Sequence, residues 1–518
     1  MLENMKKRLT ISLTAACLCL CFVISCDREL PVNVSYSHYQ YASTDEDGGS
    51  WTPVLLTEPD QIAIPEPADV NSAEYQAELA DLKDVVANLS PEQRNAVEYW
   101  TNNPSLRWME IAMELVAKYN LIPGPNPDGT YTLPSPANPA GPPPFPFAHP
   151  AYACRAYAYL NVAQFDGLVS AWHYKYLFNR EAPSKVDGSI DPAYADNNLP
   201  SYPAEGAVIA AVSRSILSAM FPLEKDYIEK KTQEHLSSLV WAGSHVESDV
   251  DAGEHIGSEV AKLALARAAT DGMSKAQTPK PVSDSIKQSA IERFGWAWEN
   301  KEIPVRPVGL APFFSKVKMW NVPNVELTRP EPPPAIGSPE YLADVEILIG
   351  HKNNMTEEKR RIANYWQDGL GTYTPPGHWN TIAFDYILKY KMNPLRTSRT
   401  LAYMNMAIMD AGISCWDAKY FYHYPRPIQV IEGFKTIAGT PNFPSYTSGH
   451  STFSAAAAEV LTYVFPQEGE IFRDWAEEAA ISRVYGGIHW SFDSDVGLTQ
   501  GKDVASYTLA VMESDGAD

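Results

Sequence analysis

Two stretches of the chain, residues 155–179 and 399–421, carry apolar and aromatic side chains at three- and four-residue spacings, the repeat of a helix with a buried face. Two more, 207–221 and 451–465, are Ala-rich and contain no internal Pro or Gly, which predicts helices of about four turns. Alternation of apolar and polar positions, the mark of a half-buried strand, is scarce. The pattern predicts an all-α protein.

These segments occur as pairs. RAYAYLNVAQFDGLVSAWHYKYLFNREAP (Arg155 to Pro183) aligns without a gap on RTLAYMNMAIMDAGISCWDAKYFYHYPRP (Arg399 to Pro427) at a shift of 244 positions. Tyr159 falls on Tyr403, Asn161 on Asn405, Asp166 on Asp410, Trp172 on Trp416 and Lys175 on Lys419. The same shift brings Ser201 onto Ser445, Gly243 onto Gly487, His245 onto His489 and Asp249 onto Asp493. Upstream, EQRNAVEYW ending at Trp100 echoes EKRRIANYW ending at Trp366. So long a period implies two related helical bundles, pseudo-two-fold related through an internal duplication, and not a solenoid. The expected division is a leader (1–26), an N-terminal region (27–89), a first helical repeat (90–275), a Pro-rich connector (276–355) and a second repeat (356–518). The connector, with PKPV, IPVRPVGLAPFF and TRPEPPPAIGSPE, is expected to be non-helical and to pack over the bundles through its Trp and Phe residues.

Composition narrows the partners. With 518 residues, 45% of them hydrophobic, the chain can bury one large core or several smaller ones. A formal net charge of −22 argues against nucleic acid and confines any anion site to a local, deep pocket. Lys6-Lys7-Arg8 followed by LTISLTAACLCLCFVIS and ending at Cys26 reads as an export signal with a lipobox-like end, so Cys26 is the expected lipid anchor of an exported, membrane-tethered protein. Beyond it remain Cys154 and Cys415, which are either bridged or buried as thiols.

Candidate chemistry gathers in the second copy, in KYFYHYPRP (Lys419 to Pro427), PSYTSGH (Pro444 to His450) and SRVYGGIHWSFD (Ser482 to Asp493). Lys419, Arg426 and Arg483 can neutralise a multiply charged tetrahedral oxyanion, and guanidinium forks suit its oxygen pairs. Ser448 and the Gly449 N–H stand before an Ala-rich helix, where free amides and the helix dipole favour negative charge. His489 and Asp493 are four residues apart, which on a helix puts carboxylate and imidazole on one face and raises the basicity of the ring. His450 is the second imidazole, placed to move protons.

In this order and spacing the three pieces, K-x6-R-P, P-S-x-x-S-G-H and S-R-x5-H-x3-D, resemble the signature of the phosphatidic acid phosphatase type 2 (PAP2) and vanadium haloperoxidase superfamily. The resemblance implies a soluble, haloperoxidase-like fold of two helical bundles. It also implies that Lys419, Arg426, Ser448, Gly449 and Arg483 hold the oxyanion, that His450 is the acid–base group and that Asp493 supports His489. His489 then either bonds the vanadium of vanadate or attacks phosphorus. In the first chemistry hydrogen peroxide and halide are the substrates and a hypohalous species the product. In the second, a phosphate ester is hydrolysed without a metal through a phosphohistidine. Doubled bundles resemble the haloperoxidases, and so do Trp416, three residues before Lys419, and Phe443, seven before His450, as in chloride-oxidising members. A pure phosphate-binding lipoprotein is the remaining reading, which leaves the two histidines without a use. The first copy keeps Lys175, His245 and Asp249 but has Ala182, Ala204, Glu205, Gly206 and Leu239 at the positions of Arg426, Ser448, Gly449, His450 and Arg483, so its site is expected to be degenerate.

Overall fold

Why the long periodic segments form helices is visible in what they bury. In the computed structural model, Pro150–Phe178 and Pro394–Tyr422 are each 29 residues long and lie against one another at the centre of the protein. Nearly every side chain from Leu395 to Tyr420 is buried, so this helix is apolar all round, as an interior helix must be. The structure describes residues 37–517, apart from 102, 122–125, 131, 133–134, 136–148, 195–196, 304 and 438. The predicted leader and Cys26 lie outside the described residues. From His38 onward the chain forms one compact unit. Among the described residues there is no β-strand, and no helix is long and apolar enough to cross a membrane.

Element boundaries recur along the chain at the same 244-residue shift. Glu205–Met220 and Gly449–Val464 are both 16 residues long, Lys225–Trp241 and Gly469–Tyr485 both 17, and further helices start at Glu247 and Ser491. Gly449–Val464 packs on Ser491–Met512 at very short range: a Cβ at Gly501 would stand 2.4 Å from the Thr452 carbonyl oxygen. Gly257 stands in the same relation to Val208, at 2.4 Å. Glycine is what permits this approach.

Two buried aspartates tie the loops to the central helices. Asp166 accepts the backbone N–H groups of Val54 and Leu56, both at 2.8 Å, and that of Leu55. Asp410 does the same for Trp320, Asn321 and Val322, at 2.8, 2.8 and 3.2 Å. Each carboxylate thus satisfies three amides that a loop over a helix would leave unpaired. Asp166→Ala or Asp410→Ala is therefore expected to lower stability by about 3 kcal/mol, since buried donors lose their acceptor. A urea titration checks this, and a change below about 0.5 kcal/mol would show that the straps are held by other means.

Two expectations need correction, and one alternative left open is decided. The Pro-rich connector is not free of helix: it carries Lys280–Phe294 and Pro339–Asn353. Its prolines do not prevent this, because Pro281 and Pro339 sit in the first turn, where the missing N–H would have no partner and φ is already helical. The Ala-rich helix expected at 451–465 begins two residues earlier, at Gly449, with Ser448 as its N-cap. Of the two alternatives for Cys154 and Cys415, the structure shows buried free thiols.

Candidate active site

A cavity of about 500 Å³ opens beside the N-terminus of Gly449–Val464. Gly449, His450, Arg483, His489, Trp416 and Phe443 line it. Lys419, Arg426, Ser448 and Asp493 stand behind that wall, and each is buried.

Each side chain is placed by local structure. Gly487, at φ 73°, ends the Gly469–Tyr485 helix in a left-handed turn, and a Cβ there would meet the Phe434 ring at 2.9 Å. That turn delivers Ile488 and His489 to the cavity. His489 precedes the next helix and is not on it: Trp490 is the N-cap and Asp493 lies in the first turn. The pair nonetheless forms, with Asp493 Oδ2 2.9 Å from His489 Nδ1 and the same oxygen accepting the Trp490 N–H at 3.2 Å. The contact expected of a helix face is thus supplied by a helix start. Ser445 also donates its hydroxyl to Asp493. With Nδ1 engaged, the other nitrogen of His489, at the cavity, accepts a long hydrogen bond from Arg426 Nη1 at 3.4 Å.

The cations are held by backbone carbonyls. Lys419 Nζ donates to Pro444 O at 3.0 Å, Ser445 O at 2.8 Å and Thr447 O, so all three of its protons are taken. Lys419 therefore shapes the loop that carries Ser448 and contributes its charge from behind the wall. Arg426 donates through Nε to Phe443 O at 3.1 Å and through Nη1 to Ile488 O at 2.6 Å. Arg483 Nη1 donates to Trp366 O at 2.8 Å, at the C-terminal end of Glu357–Tyr365, where the helix dipole favours a cation.

Among the described residues none of these three cations has a carboxylate within 4 Å, although every one is buried. Buried charge without a counter-ion is costly. Burial pushes the Arg426 and Arg483 guanidiniums down to about 9 and 10, yet still charged at neutral pH. Burial and then Arg426, Lys419 and Arg483 hold His489 neutral, well below its ordinary range. Burial and Arg483 do the same to His450. The Arg483 Nε and His450 Nε2 atoms have no hydrogen-bond partner. A Cβ on residue 449 would make ordinary contact with the rings of Phe453, at 3.6 Å, and Trp416, at 3.9 Å, both of which line the cavity. Excess positive charge, unused donors and a bare backbone at a helix start together fit a tetrahedral oxyanion.

The first half answers the same electrostatic demand from within. Glu205, at the position of Gly449, begins Glu205–Met220, and its Oε2 lies 2.8 Å from Lys175 Nζ and 3.9 Å from His245 Nε2. A carboxylate tethered to the chain occupies the place of an oxyanion. His245 Nδ1 turns to Ser201 O at 3.0 Å, leaving Asp249 at 3.9 Å paired with Arg180, so the imidazole–carboxylate pair of the second half is not formed. Glu205→Gly is expected to destabilise the protein by stranding Lys175, and phosphate is expected to restore part of the lost thermal stability while leaving wild type less affected. Absence of a variant-specific phosphate effect would contradict the role given to Glu205.

The sequence pattern missed other groups at the cavity. Asp368, 3.1 Å from His378 Nδ1, lines it near Arg483, whose charge it favours. His149 reaches it from the first half. Neither falls within the three sequence pieces, and no spacing rule connects them to it.

Residues 399–514 match the family described as the PAP2 superfamily. The matched segment lies in the second half of the chain. It begins at Arg399 in the central helix and contains every cage residue set out above. Vanadium chloroperoxidase of Curvularia inaequalis is 24% identical to the chain over 196 residues, a match covering 29% of this chain and 32% of that protein. The chain thus spans about a third of the length of the curated relative it matches. A solved structure described as the first bacterial vanadium-dependent iodoperoxidase shares the fold: the TM-score is 0.58 at 23% identity, covering 82% of this chain and 97% of that one. The fold around the PAP2 segment is accordingly vanadium haloperoxidase-like.

Proposed function

We propose that this chain is a vanadate-dependent haloperoxidase that oxidises halide with hydrogen peroxide to a hypohalous species. The observation that carries the reading is the set of three buried cations without carboxylate partners among the described residues, around a cavity that also receives His450 and an Asp493-backed His489. Vanadate, when bound, supplies Lewis-acid activation of hydrogen peroxide without changing oxidation state. Arg483 and the Gly449 N–H would hold its oxygens from the cavity wall, Arg426 and Lys419 would balance its charge from behind, and His489 Nε2 would be its ligand. The Asp493 carboxylate fixes the ring so that Nδ1 carries the proton and Nε2 keeps its lone pair. His450, neutral in the free cavity, accepts a proton from the incoming peroxide at Nε2, which has no other partner. Trp416 and Phe443, with ring centroids 4.9 Å apart, give this cavity an apolar wall.

The PAP2 segment also supports metal-free phosphate ester hydrolysis in the same cage, with His489 Nε2 attacking phosphorus and His450 protonating the leaving alcohol. One preparation assayed both ways separates the two: without vanadate on an aryl phosphate, and with vanadate on halide plus hydrogen peroxide. Halide oxidation that saturates with vanadate supports the proposal, with iodide and bromide oxidised more readily than chloride. Efficient ester turnover with no halide oxidation at any vanadate concentration would replace it by the phosphatase reading.

A further inference from the structure

His149 stands immediately before the Pro150–Phe178 helix, in the first half of the chain, yet its ring lines the cavity of the second. It meets Phe443 edge-on, at a centroid distance of 5.5 Å and an interplanar angle of 90°, and Trp416 at 6.1 Å and 80°. Its Nδ1 is buried and has no hydrogen-bond partner among the described residues. An N-capping role does not account for the residue, since its side chain makes no cap hydrogen bond. The Trp416 N–H is spent on Leu310 O at 3.2 Å, so the indole offers this wall only its ring. His149 therefore brings a polar group to an otherwise aromatic part of the wall of the same cavity.

Resting on the haloperoxidase reading, we infer that His149 is a halide-binding, specificity-determining residue: its ring N–H and the edges of Trp416 and Phe443 hold a large, weakly hydrated anion in a site to which both halves of the chain contribute. Aromatic edges carry partial positive charge, and a single N–H adds direction to it. Burial and the charge of Arg306 keep the imidazole neutral, so the site offers a donor without a full countercharge. Such a site cannot repay the strong hydration of chloride as well as the weaker hydration of iodide. Arg306 lines the cavity in a forked pair with Glu302, which lines it too, so that side brings no net charge to the anion. The vanadate cage needs none of these groups.

The test uses the full chain and two variants, His149→Phe, which keeps an aromatic ring without a donor, and His149→Gln, which restores an N–H. In bromide-soaked wild-type crystals the anomalous signal is expected against His149, Trp416 and Phe443, and it is expected to vanish in His149→Phe. Kinetically, His149→Phe is expected to raise the KM for iodide about tenfold or more with a smaller change in kcat, and His149→Gln to recover part of the loss. Phosphate affinity, which reads the cage alone, is expected to stay within about twofold in both variants. A bromide peak at His149 in a protein without halide turnover would uphold the site and remove the haloperoxidase reading. Turnover with no peak at His149 and an unchanged halide KM in His149→Phe would overturn the inference and leave that reading intact.

Discussion

His489→Ala is expected to abolish either activity proposed for the cage, halide oxidation with vanadate or ester hydrolysis without it, by about 10⁴-fold or more. The reason is the place of its Nε2. Nδ1 is committed to Asp493 at 2.9 Å, and the other nitrogen is the one nucleophilic or ligating atom that the Gly487 turn presents to the cavity. Burial and the charges of Arg426, Lys419 and Arg483 keep it unprotonated, so its lone pair is available at neutral pH without a prior deprotonation step. Removing the ring deletes the shared covalent partner of the two mechanisms and leaves Asp493 facing an empty space. Steady-state rates in both assays check this. Retention of more than about a tenth of either rate in His489→Ala would mean that this imidazole does not form the bond assigned to it.

His450→Ala is expected to lower turnover by about 10²- to 10⁴-fold while phosphate and vanadate still bind. His450 sits in the first turn of Gly449–Val464 and lines the cavity, with its Nε2 unpartnered. It shares the Trp366 carbonyl with Arg483, but the carbonyls of Phe443 and Ile488 that hold Arg426 are separate, so the anion site is expected to survive its loss. Burial and the Arg483 charge hold it neutral in the free cavity, which suits a base. An oxyanion offsets that Arg483 charge, so the imidazole takes up a proton more readily in the loaded site and can then act as an acid. The acid limb of the rate profile should therefore lie at higher pH in the loaded enzyme than His450 of the free enzyme would give. Calorimetric binding alongside kinetics separates the roles. Loss of phosphate affinity in step with turnover would make His450 part of the anion cage.

How far the sequence reached depended on whether a feature was periodic or positional. The long helices were legible because their apolar spacing reflects burial against the core, and the 244-residue shift reappears in their boundaries. The motif positions Gly449, His450, Arg483 and His489 line one cavity. Lys419 shows what a motif leaves out: its residue type predicts contact with an anion, but the directions of the Pro444, Ser445 and Thr447 carbonyls decide that its protons go to the loop. Those directions depend on φ and ψ in a loop and leave no trace in residue type. The connector misled for a related reason, since Pro at a helix start and Pro in a coil look alike until the cap is seen. His149 and Asp368 were invisible because tertiary packing alone brings them to the cavity. Glu205 was read as a lost glycine, whereas its carboxylate keeps the first half's lysine paired.

The central claim is that the second half holds an oxyanion and the first half holds a carboxylate in its stead. Crystals soaked in vanadate test it most directly. One vanadate is expected at the start of Gly449–Val464, within bonding distance of His489 Nε2 and contacting Arg483 and the Gly449 N–H, with Glu205 still on Lys175 and no second ion beside it. Vanadate bound beside Lys175 and His245, or absent from the Gly449 cavity at saturating concentration, would contradict the account.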